Sequence, residues 1–486
     1  MITFIASIVL LILGYFIYGK LIERNFGVNV KKKTPAYTKQ DGIDYIPMKT
    51  WKIFLIQFLN IAGLGPIFGA IMGAKFGSAS FIWIVIGCIF GGAVHDYLAG
   101  MISLRKGGVS LPEIHGEYLG NGVKQFMRVF MVLLMILVGV VFVAGPAELL
   151  ANLTARYLDL TFWIVVIFIY YIFATLLPID KIIGKIYPVF GICLLFMAFG
   201  ILISIFVYQP AIPEIWEGLQ NKHPNSANMP IFPMMFVSIA CGAVSGFHAT
   251  QSPLMARCMK NEKYGRPVFY GSMIVEGIVA LIWAAAASYF FFETETGKEM
   301  FANGTNAAVI VDVITKEWLG AVGAVLAIFG VIAAPISTGD TAFRSARLII
   351  ADFLKYDQKP MRKRLHIAIP MFAVAVIVLI YSLMDKNGFD IIWRYFSWAN
   401  QVLAAVTLWA ITIYMYQEKK WYLITLIPAQ FMTMVSICYI LIAPEGFSLS
   451  HNLSYWLGGG ITAIILFFFC RYMLNYNEKV KNIKKK

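Results

Sequence analysis

Charged residues are scarce in this sequence, and their scarcity excludes an ordinary soluble protein. They make up 14 % of the 486 residues, whereas hydrophobic residues make up 59 % and the mean hydropathy is +0.74. Soluble domains are about one-quarter charged. Because one membrane-spanning helix needs about 20 apolar residues, the apolar share is enough for about a dozen spans.

Cysteine is also scarce, and its placement argues against metal or disulfide chemistry. The six cysteines lie in or beside apolar segments, and no two form a Cys-x-x-Cys pair. We therefore expect no bound metal and no cofactor other than a coupling ion. The motifs His-Glu-x-x-His and Gly-x-Ser-x-Gly are missing, and Leu21 stands where a P-loop requires Ser or Thr.

Thirteen apolar windows predict thirteen transmembrane helices and no soluble domain. The predicted fold class is an all-α polytopic membrane protein. We expect the first window to be retained as a helix, because no basic segment precedes it and no clear cleavage site follows. The windows cover residues 2–19, 51–75, 79–104, 126–150, 160–178, 186–209, 230–256, 267–292, 319–345, 365–384, 389–414, 421–443 and 453–473.

Lysine and arginine are unevenly distributed between the two sides that thirteen spans define. The side of the 20–50 loop carries 33 and the other side carries 7, which together give the 40 in the chain. Since cytoplasmic loops are the basic ones, we expect the N-terminus outside and the C-terminus in the cytoplasm. We therefore interpret the net charge of +14 as a consequence of this orientation and of contact with anionic lipid. We expect no nucleic-acid partner.

Two of the predicted spans are interrupted. Residues 60–69 read Asn-Ile-Ala-Gly-Leu-Gly-Pro-Ile-Phe-Gly, and residues 242–253 read Gly-Ala-Val-Ser-Gly-Phe-His-Ala-Thr-Gln-Ser-Pro. Interrupted helices at corresponding places in two halves are typical of inverted-repeat secondary transporters. An alternative for the first is close helix packing, because glycines recur at 65, 69, 73 and 77.

The interrupted spans are the second and the seventh, which predicts a five-plus-five inverted repeat of the LeuT-like kind with extra terminal helices. The predicted parts are an N-terminal helix and basic cytoplasmic loop (1–50), a first repeat (51–209), a second repeat (210–420), and two C-terminal helices with a basic tail (421–486).

Five segments resemble the signature segments of the carbon starvation protein A family. They are Gly65-Pro-Ile-Phe-Gly-Ala70, Gly91-Gly-Ala-Val-His-Asp-Tyr97, Ser110-Leu-Pro-Glu113, Gly246-Phe-His-Ala-Thr-Gln-Ser-Pro253 and Ser337-Thr-Gly-Asp-Thr-Ala-Phe-Arg-Ser-Ala-Arg347. The resemblance implies a transporter of the amino acid–polyamine–organocation type in a bacterial cytoplasmic membrane. It also implies uptake of peptides or pyruvate, coupled to protons.

The two interruptions supply the candidate substrate site. Freed backbone amides and helix N-termini favour a carboxylate, so an anionic or zwitterionic solute fits there. The alternative for His248 is an ordinary hydrogen bond between helices. The candidate substrate-binding residues are Gly63, Gly65, Pro66, Ser245, Gly246, His248, Thr250 and Gln251.

Polar residues inside other spans supply candidates for ion coupling. Hydroxyl groups with carbonyls freed near the first interruption suit Na⁺, whereas buried acids and histidines suit H⁺. The alternatives are an Asp340–Arg344 pair, interhelical hydrogen bonds of His95 and Asp96, and a partner for Glu276 on another span. The candidates are Ala62, His95, Asp96, Glu276, Ser337, Thr338, Asp340 and Thr341.

Three classes of function compete at this point. An ion-coupled importer of small carboxylate-bearing nutrients accounts for both interruptions and the buried polar residues, with H⁺ favoured over Na⁺. A passive channel or sensor is the second. The third is an intramembrane hydrolase using Ser245 and His248, which share one segment; we expect no enzyme activity.

Overall fold

The computed structural model describes residues 1–154, 157–177, 183–303, 305, 307–384 and 388–485. Within these ranges every regular element is a helix. Arg156, Lys181, Lys386 and Lys486, which enter the count of basic residues, lie outside them. The main helices are α1 Ile2–Phe26, α2 Thr50–Ile61, α3 Gly65–Ala74, α4 Ala79–Arg105, α5 Leu111–Leu119, α6 Asn121–Leu153, α7 Leu160–Leu176, α8 Ile183–Tyr208, α9 Gly246–Ala256, α10 Glu262–Glu293, α11 Glu295–Ala302, α12 Ala307–Ala327, α13 Ala333–Leu354, α14 Met361–Met384, α15 Gly388–Gln417, α16 Leu423–Ile442 and α17 His451–Lys485.

The helices have the length and apolarity of membrane spans. In the described part of the chain nine helices qualify, or ten when the bent pair α2 and α3 counts as one span. The all-helical membrane fold expected from composition is therefore confirmed. The stretch between the predicted windows 267–292 and 319–345 is partly helical, because it contains α11 and the beginning of α12, and α12 bends at Gly320.

Both predicted interruptions are present. Helices α2 and α3 meet at an angle of 51°, and Ala62 has left the helical conformation. The second interruption lies just before α9, where Val244 and Ser245 are extended. Glycine and proline free backbone groups inside a span, and nearby protein groups must satisfy them again.

The two interrupted helices cross at Gly65. An ideal Cβ at Gly65 would lie 2.2 Å from the Cβ of Cys241, so only glycine fits there. The alternative interpretation of the glycine ladder therefore also holds: Gly69 and Gly73 face Ser238 and Ile239 of the second interrupted helix at similarly close range. Close packing and interruption are two features of one crossing.

Candidate substrate and proton site

Four buried ionisable side chains form a continuous chain through the centre of the protein. His95 and Asp96 lie on α4, His248 on α9 and Glu276 on α10. The Nδ1 atom of His95 is 2.8 Å from Asp96 Oδ1, and the Nδ1 atom of His248 is 2.9 Å from Asp96 Oδ2. The Nε2 atom of His248 is 3.5 Å from Glu276 Oε2. We call these residues the central cluster.

The central cluster can change its charge by taking up a proton. All four side chains are fully buried. Unmatched charges are costly in such surroundings. With both carboxylates ionised, the cluster is neutral when both imidazoles are protonated, and it carries one negative charge when one proton leaves. The side chains of adjacent helical residues point about 100° apart, so His95 and Asp96 need not touch. In this structure Asp96 nevertheless contacts His95 as well as His248.

Two amide side chains of α15 form hydrogen bonds with backbone groups at the second interruption, and the sequence analysis missed both. Asn400 Oδ1 accepts a hydrogen bond from the Phe247 backbone N–H at 2.6 Å and lies 3.1 Å from Ser245 Oγ. Gln401 donates to the Val244 carbonyl at 3.2 Å. The signal was available, since Asn400 and Gln401 are adjacent amides inside an apolar window.

The other predicted substrate residues on α9 are turned toward their own helix. Thr250 donates to the Phe247 carbonyl at 2.6 Å, and Gln251 donates to Thr250 Oγ1 at 2.8 Å, which leaves Gln251 Oε1 without a partner. Gly246 permits close packing, because a Cβ there would lie 2.3 Å from the Ala404 nitrogen.

Thr338 is the coupling candidate that reaches the first interruption. Its hydroxyl donates to the Leu59 carbonyl at 3.2 Å, and a Cβ at Gly63 would lie 2.9 Å from Thr338 Oγ1. The hydroxyls of Ser337 and Thr341 donate to carbonyls of their own helix. For Ala62, Gly65 and Pro66 the structure shows burial at this crossing.

Asp340 lies apart from that group. Its Oδ2 atom accepts a hydrogen bond from Tyr170 at 3.0 Å, and no described residue bonds to its Oδ1 atom. The alternative Asp340–Arg344 ion pair is not formed, because Arg344 Nη1 contacts Asp44 Oδ1 at 3.2 Å.

Asp44 belongs to a second buried ionic group, which we call the arginine cluster: Asp44, Arg257, Arg344 and Arg347. Arg347 Nη2 lies 3.6 Å from Asp44 Oδ2, and Asp44 is 2 % exposed. Burial favours the protonated carboxyl, but Arg347, Arg344 and Arg257 outweigh it and lower the pKa of Asp44. The sequence analysis missed Asp44 because it lies in a loop.

Gln57 and Asn60 are two further residues that the sequence analysis missed. Both are fully buried in the last turns of α2, and none of their amide atoms has a hydrogen-bond partner among the residues that the structure describes. Buried polar groups are normally paired with protein or water. The spacing of three places both amides on one face of α2, directly before the first interruption.

The comparison with known families decides the class of the protein. A family model described as carbon starvation protein CstA matches residues 1–156, 143–293 and 284–438. The chain belongs to this family. The resemblance carried by the five sequence segments is thereby confirmed.

Relatives of this CstA-family chain include an uncharacterized membrane protein and proteins with transporter names. An uncharacterized membrane protein of Haemophilus influenzae is 43 % identical over 352 residues, covering 63 % of this chain and 95 % of that protein. The peptide transporter CstA of Bacillus subtilis is 26 % identical and covers 95 % of this chain and 94 % of its own length. The pyruvate/proton symporter BtsT of Escherichia coli is 26 % identical over 58 % of this chain and 48 % of its own length.

The fold of the CstA-family chain is shared with a solved transporter. The manganese transporter of Eremococcus coleocola superposes with a TM-score of 0.54 at 13 % identity, over 88 % of this chain and 94 % of that one. In the part of the chain that the structure describes, no group of three or more His, Cys, Asp or Glu side chains is placed to hold a metal ion.

The chain is therefore an integral membrane transporter for a small molecule, and it is not an enzyme. The hydrolase alternative also lacks a structural basis, since the Ser245 hydroxyl lies against Asn400 while His248 contacts Asp96 and Glu276.

Proposed function

We propose that the chain imports small carboxylate-bearing nutrients (peptides, amino acids or pyruvate) across the bacterial cytoplasmic membrane, driven by protons. The observation that carries this proposal is the central cluster. It connects α4, α9 and α10 through His248, which lies three residues after Ser245 of the second interruption. A change in the protonation of the central cluster therefore acts on α9, the helix that begins at the proposed substrate site.

The proposal places the substrate at the crossing of the two interruptions. Gly65, with Gly63 and Pro66 beside it in sequence, packs against Cys241, a few residues before Ser245 and Gly246. Helix N-termini at such interruptions favour a carboxylate. The unpartnered amides of Gln57 and Asn60 add donors and acceptors one turn away. The printed names of the relatives, peptide transporter and pyruvate/proton symporter, agree with a carboxylate-bearing solute.

The proposed architecture has thirteen spans in a five-plus-five inverted repeat, with residues 51–209 and 210–420 as the repeats and the N-terminus outside. Two interruptions five spans apart and the excess of basic residues on one side support it. The segments from Ile231 to Ala256 and from Ala307 to Leu354, together with α7, are the additional spans.

Protons are favoured over Na⁺ as the coupling ion by the chemistry of the candidates. The hydroxyls of Ser337, Thr338 and Thr341 donate to backbone carbonyls, and Asp340 pairs with Tyr170 rather than with these hydroxyls. The imidazole of His248 and the carboxyl of Glu276 are groups of the kind that can carry a proton.

Uptake into proteoliposomes tests the coupling. Labelled pyruvate and labelled alanyl-alanine are offered with an inward proton gradient, with an inward Na⁺ gradient, and with neither. We expect at least one probe to accumulate with the proton gradient and not with the Na⁺ gradient alone. Flux that does not saturate and ignores both gradients would indicate a channel, and rejection of both probes would contradict the substrate class.

The variant Glu276→Gln tests the coupling role of a single residue. The amide cannot carry a proton, so we expect proton-driven accumulation to disappear while exchange of labelled for unlabelled substrate continues. Glu299→Gln on the exposed face of α11 is the matched control. Unchanged accumulation in Glu276→Gln would contradict a coupling role for Glu276.

A further inference from the structure

Lys75 is a buried lysine that has no ionic partner in the described part of the chain. It directly follows α3, about 15 Å along that helix from Gly65 at 1.5 Å per residue, and it is 3 % exposed. Among the described residues no carboxylate or hydrogen-bond acceptor contacts its ammonium, which lies 5.7 Å from the centre of the Phe291 ring. Lysines are almost never fully buried unless they are paired.

Two further nitrogen-bearing side chains surround this position. Lys222 Nζ lies 4.7 Å from the centre of the Phe292 ring, next to Phe291. The His223 ring lies 5.0 Å from the Phe76 ring, and its Nδ1 accepts a hydrogen bond from the Asn225 N–H at 3.1 Å. Burial and then Lys75 lower the pKa of His223 to about 4. At neutral pH its other ring nitrogen is therefore an uncharged N–H donor.

Other lysines at this end of the protein are neutralised locally. Lys298 contacts Glu295 at 3.0 Å and Lys316 contacts Asp312 at 2.7 Å, and both lysines are about half exposed. Lys75 has the opposite combination of deep burial and no acid. Burying an unpaired charge costs free energy, so the position is suited to an anion from outside the chain.

We propose that Lys75, with Lys222 and His223, forms a binding site for the carboxylate of a small anionic solute at the outer mouth of the protein. The site is separate from the crossing of the interrupted helices, and from the arginine cluster, whose Asp44 precedes α2 whereas Lys75 follows α3. That the bound solute is the transported one depends on the proposed function; the binding site itself does not.

A carboxylate titration tests the site without any gradient. Purified full-length protein in nanodiscs is titrated with trifluoroacetate, and the ¹⁹F line width is measured against empty nanodiscs. We expect saturable broadening that acetate reverses and acetamide does not. Lys75→Gln weakens the binding about tenfold, whereas Lys75→Arg retains it and the matched control Lys298→Gln leaves it unchanged.

Three outcomes would overturn the proposal. They are wild-type broadening no greater than that of empty nanodiscs, equal binding by Lys75→Gln, and displacement by chloride at the same concentration as acetate. In the last two cases the burial of Lys75 would have another explanation. The carbonyl ends of α3 and α10 favour a cation, or the site binds an inorganic anion. If Lys75→Gln does not fold, Lys222→Gln carries the same test.

The titration separates this proposal from proton coupling. A failed coupling experiment leaves the ¹⁹F titration unaffected, because no gradient is imposed. A failed titration leaves proton-driven uptake intact. Where uptake is measurable, Lys75→Gln raises the KM of the carboxylate probe and leaves the maximal rate unchanged.

Discussion

The central cluster and the arginine cluster are both buried, but they are built from different kinds of charge. In the central cluster every group is a carboxyl or an imidazole, whose charge depends on whether it carries a proton, so the number of charges can change. In the arginine cluster the guanidinium groups remain charged. The charge balance of the arginine cluster depends instead on the carboxylate of Asp44.

The two clusters also connect different parts of the molecule. The central cluster links three helices, α4, α9 and α10. The arginine cluster ties the loop before α2 to α13, and Arg344 continues to the carbonyls of Ala174 and Leu177 at the end of α7. A cluster of variable charge suits energy coupling, whereas one of permanent charge suits a fixed connection between the loop and the helices that it joins.

Asp96→Asn is the largest expected disturbance. The change removes the carboxylate that joins His95 to His248, so we expect proton-driven uptake to fall to the level of empty liposomes. Losing one partner of a buried ionic group also lowers the free energy of unfolding by about 3–5 kcal/mol. Uptake and thermal unfolding by tryptophan fluorescence measure the two effects.

The matched control is Asp312→Asn. Asp312 pairs with half-exposed Lys316, and such surface pairs contribute about 0–1 kcal/mol. If Asp96→Asn still accumulates substrate, the central cluster is structural, and the contrast with the arginine cluster disappears.

Asp44→Asn is the corresponding change in the arginine cluster. It leaves Arg344 and Arg347 without a carboxylate, so we expect a loss of about 3 kcal/mol in unfolding free energy at neutral pH. Because the folded-state pKa of Asp44 is lowered, its contribution is complete above the ordinary pKa of about 4 and is lost as the pH falls further. The difference between wild type and variant therefore shrinks in acid.

Thermal unfolding of the solubilised protein as a function of pH measures this dependence, with exposed Asp357→Asn as the control. A wild-type advantage that persists unchanged into acid would show that Asp44 acts through its shape rather than its charge.

The two clusters also differ in how much of each could be predicted from the sequence. The interruptions were predictable because glycine, proline and polar residues inside an apolar window are local signals. His95, Asp96, His248 and Glu276 were singled out one by one for the same reason. Their contact was not predictable, because Asp96 and His248 are 152 positions apart and only helix packing brings them together.

The arginine cluster was harder to predict from the sequence. Asp44 and Arg344 are 300 positions apart, and the near neighbour of Arg344 in sequence, Asp340, suggested a local pair instead. The spacing of four is favourable on an isolated helix. Here the packing of α13 turns Asp340 toward Tyr170 and Arg344 toward the loop.

Arg344→Lys is a smaller change that separates charge from geometry. Lysine keeps the positive charge but cannot donate at once to Asp44 and to the carbonyls of Ala174 and Leu177. We expect a loss of about 1–2 kcal/mol in unfolding free energy, against none for the exposed control Arg362→Lys. Wild-type stability in Arg344→Lys would mean that permanent charge alone holds the cluster.

His95→Gln is the smallest expected effect, and it sharpens the description of the central cluster. The amide can still donate to Asp96, and His248 still lies between both carboxylates. We therefore expect the initial rate of proton-driven uptake to fall only about threefold, whereas His248→Gln abolishes it. Rates measured across a series of external pH values compare the two. If His95→Gln is as inactive as His248→Gln, the proton must traverse the whole chain, and His95 becomes a member of the pathway rather than the group that orients Asp96.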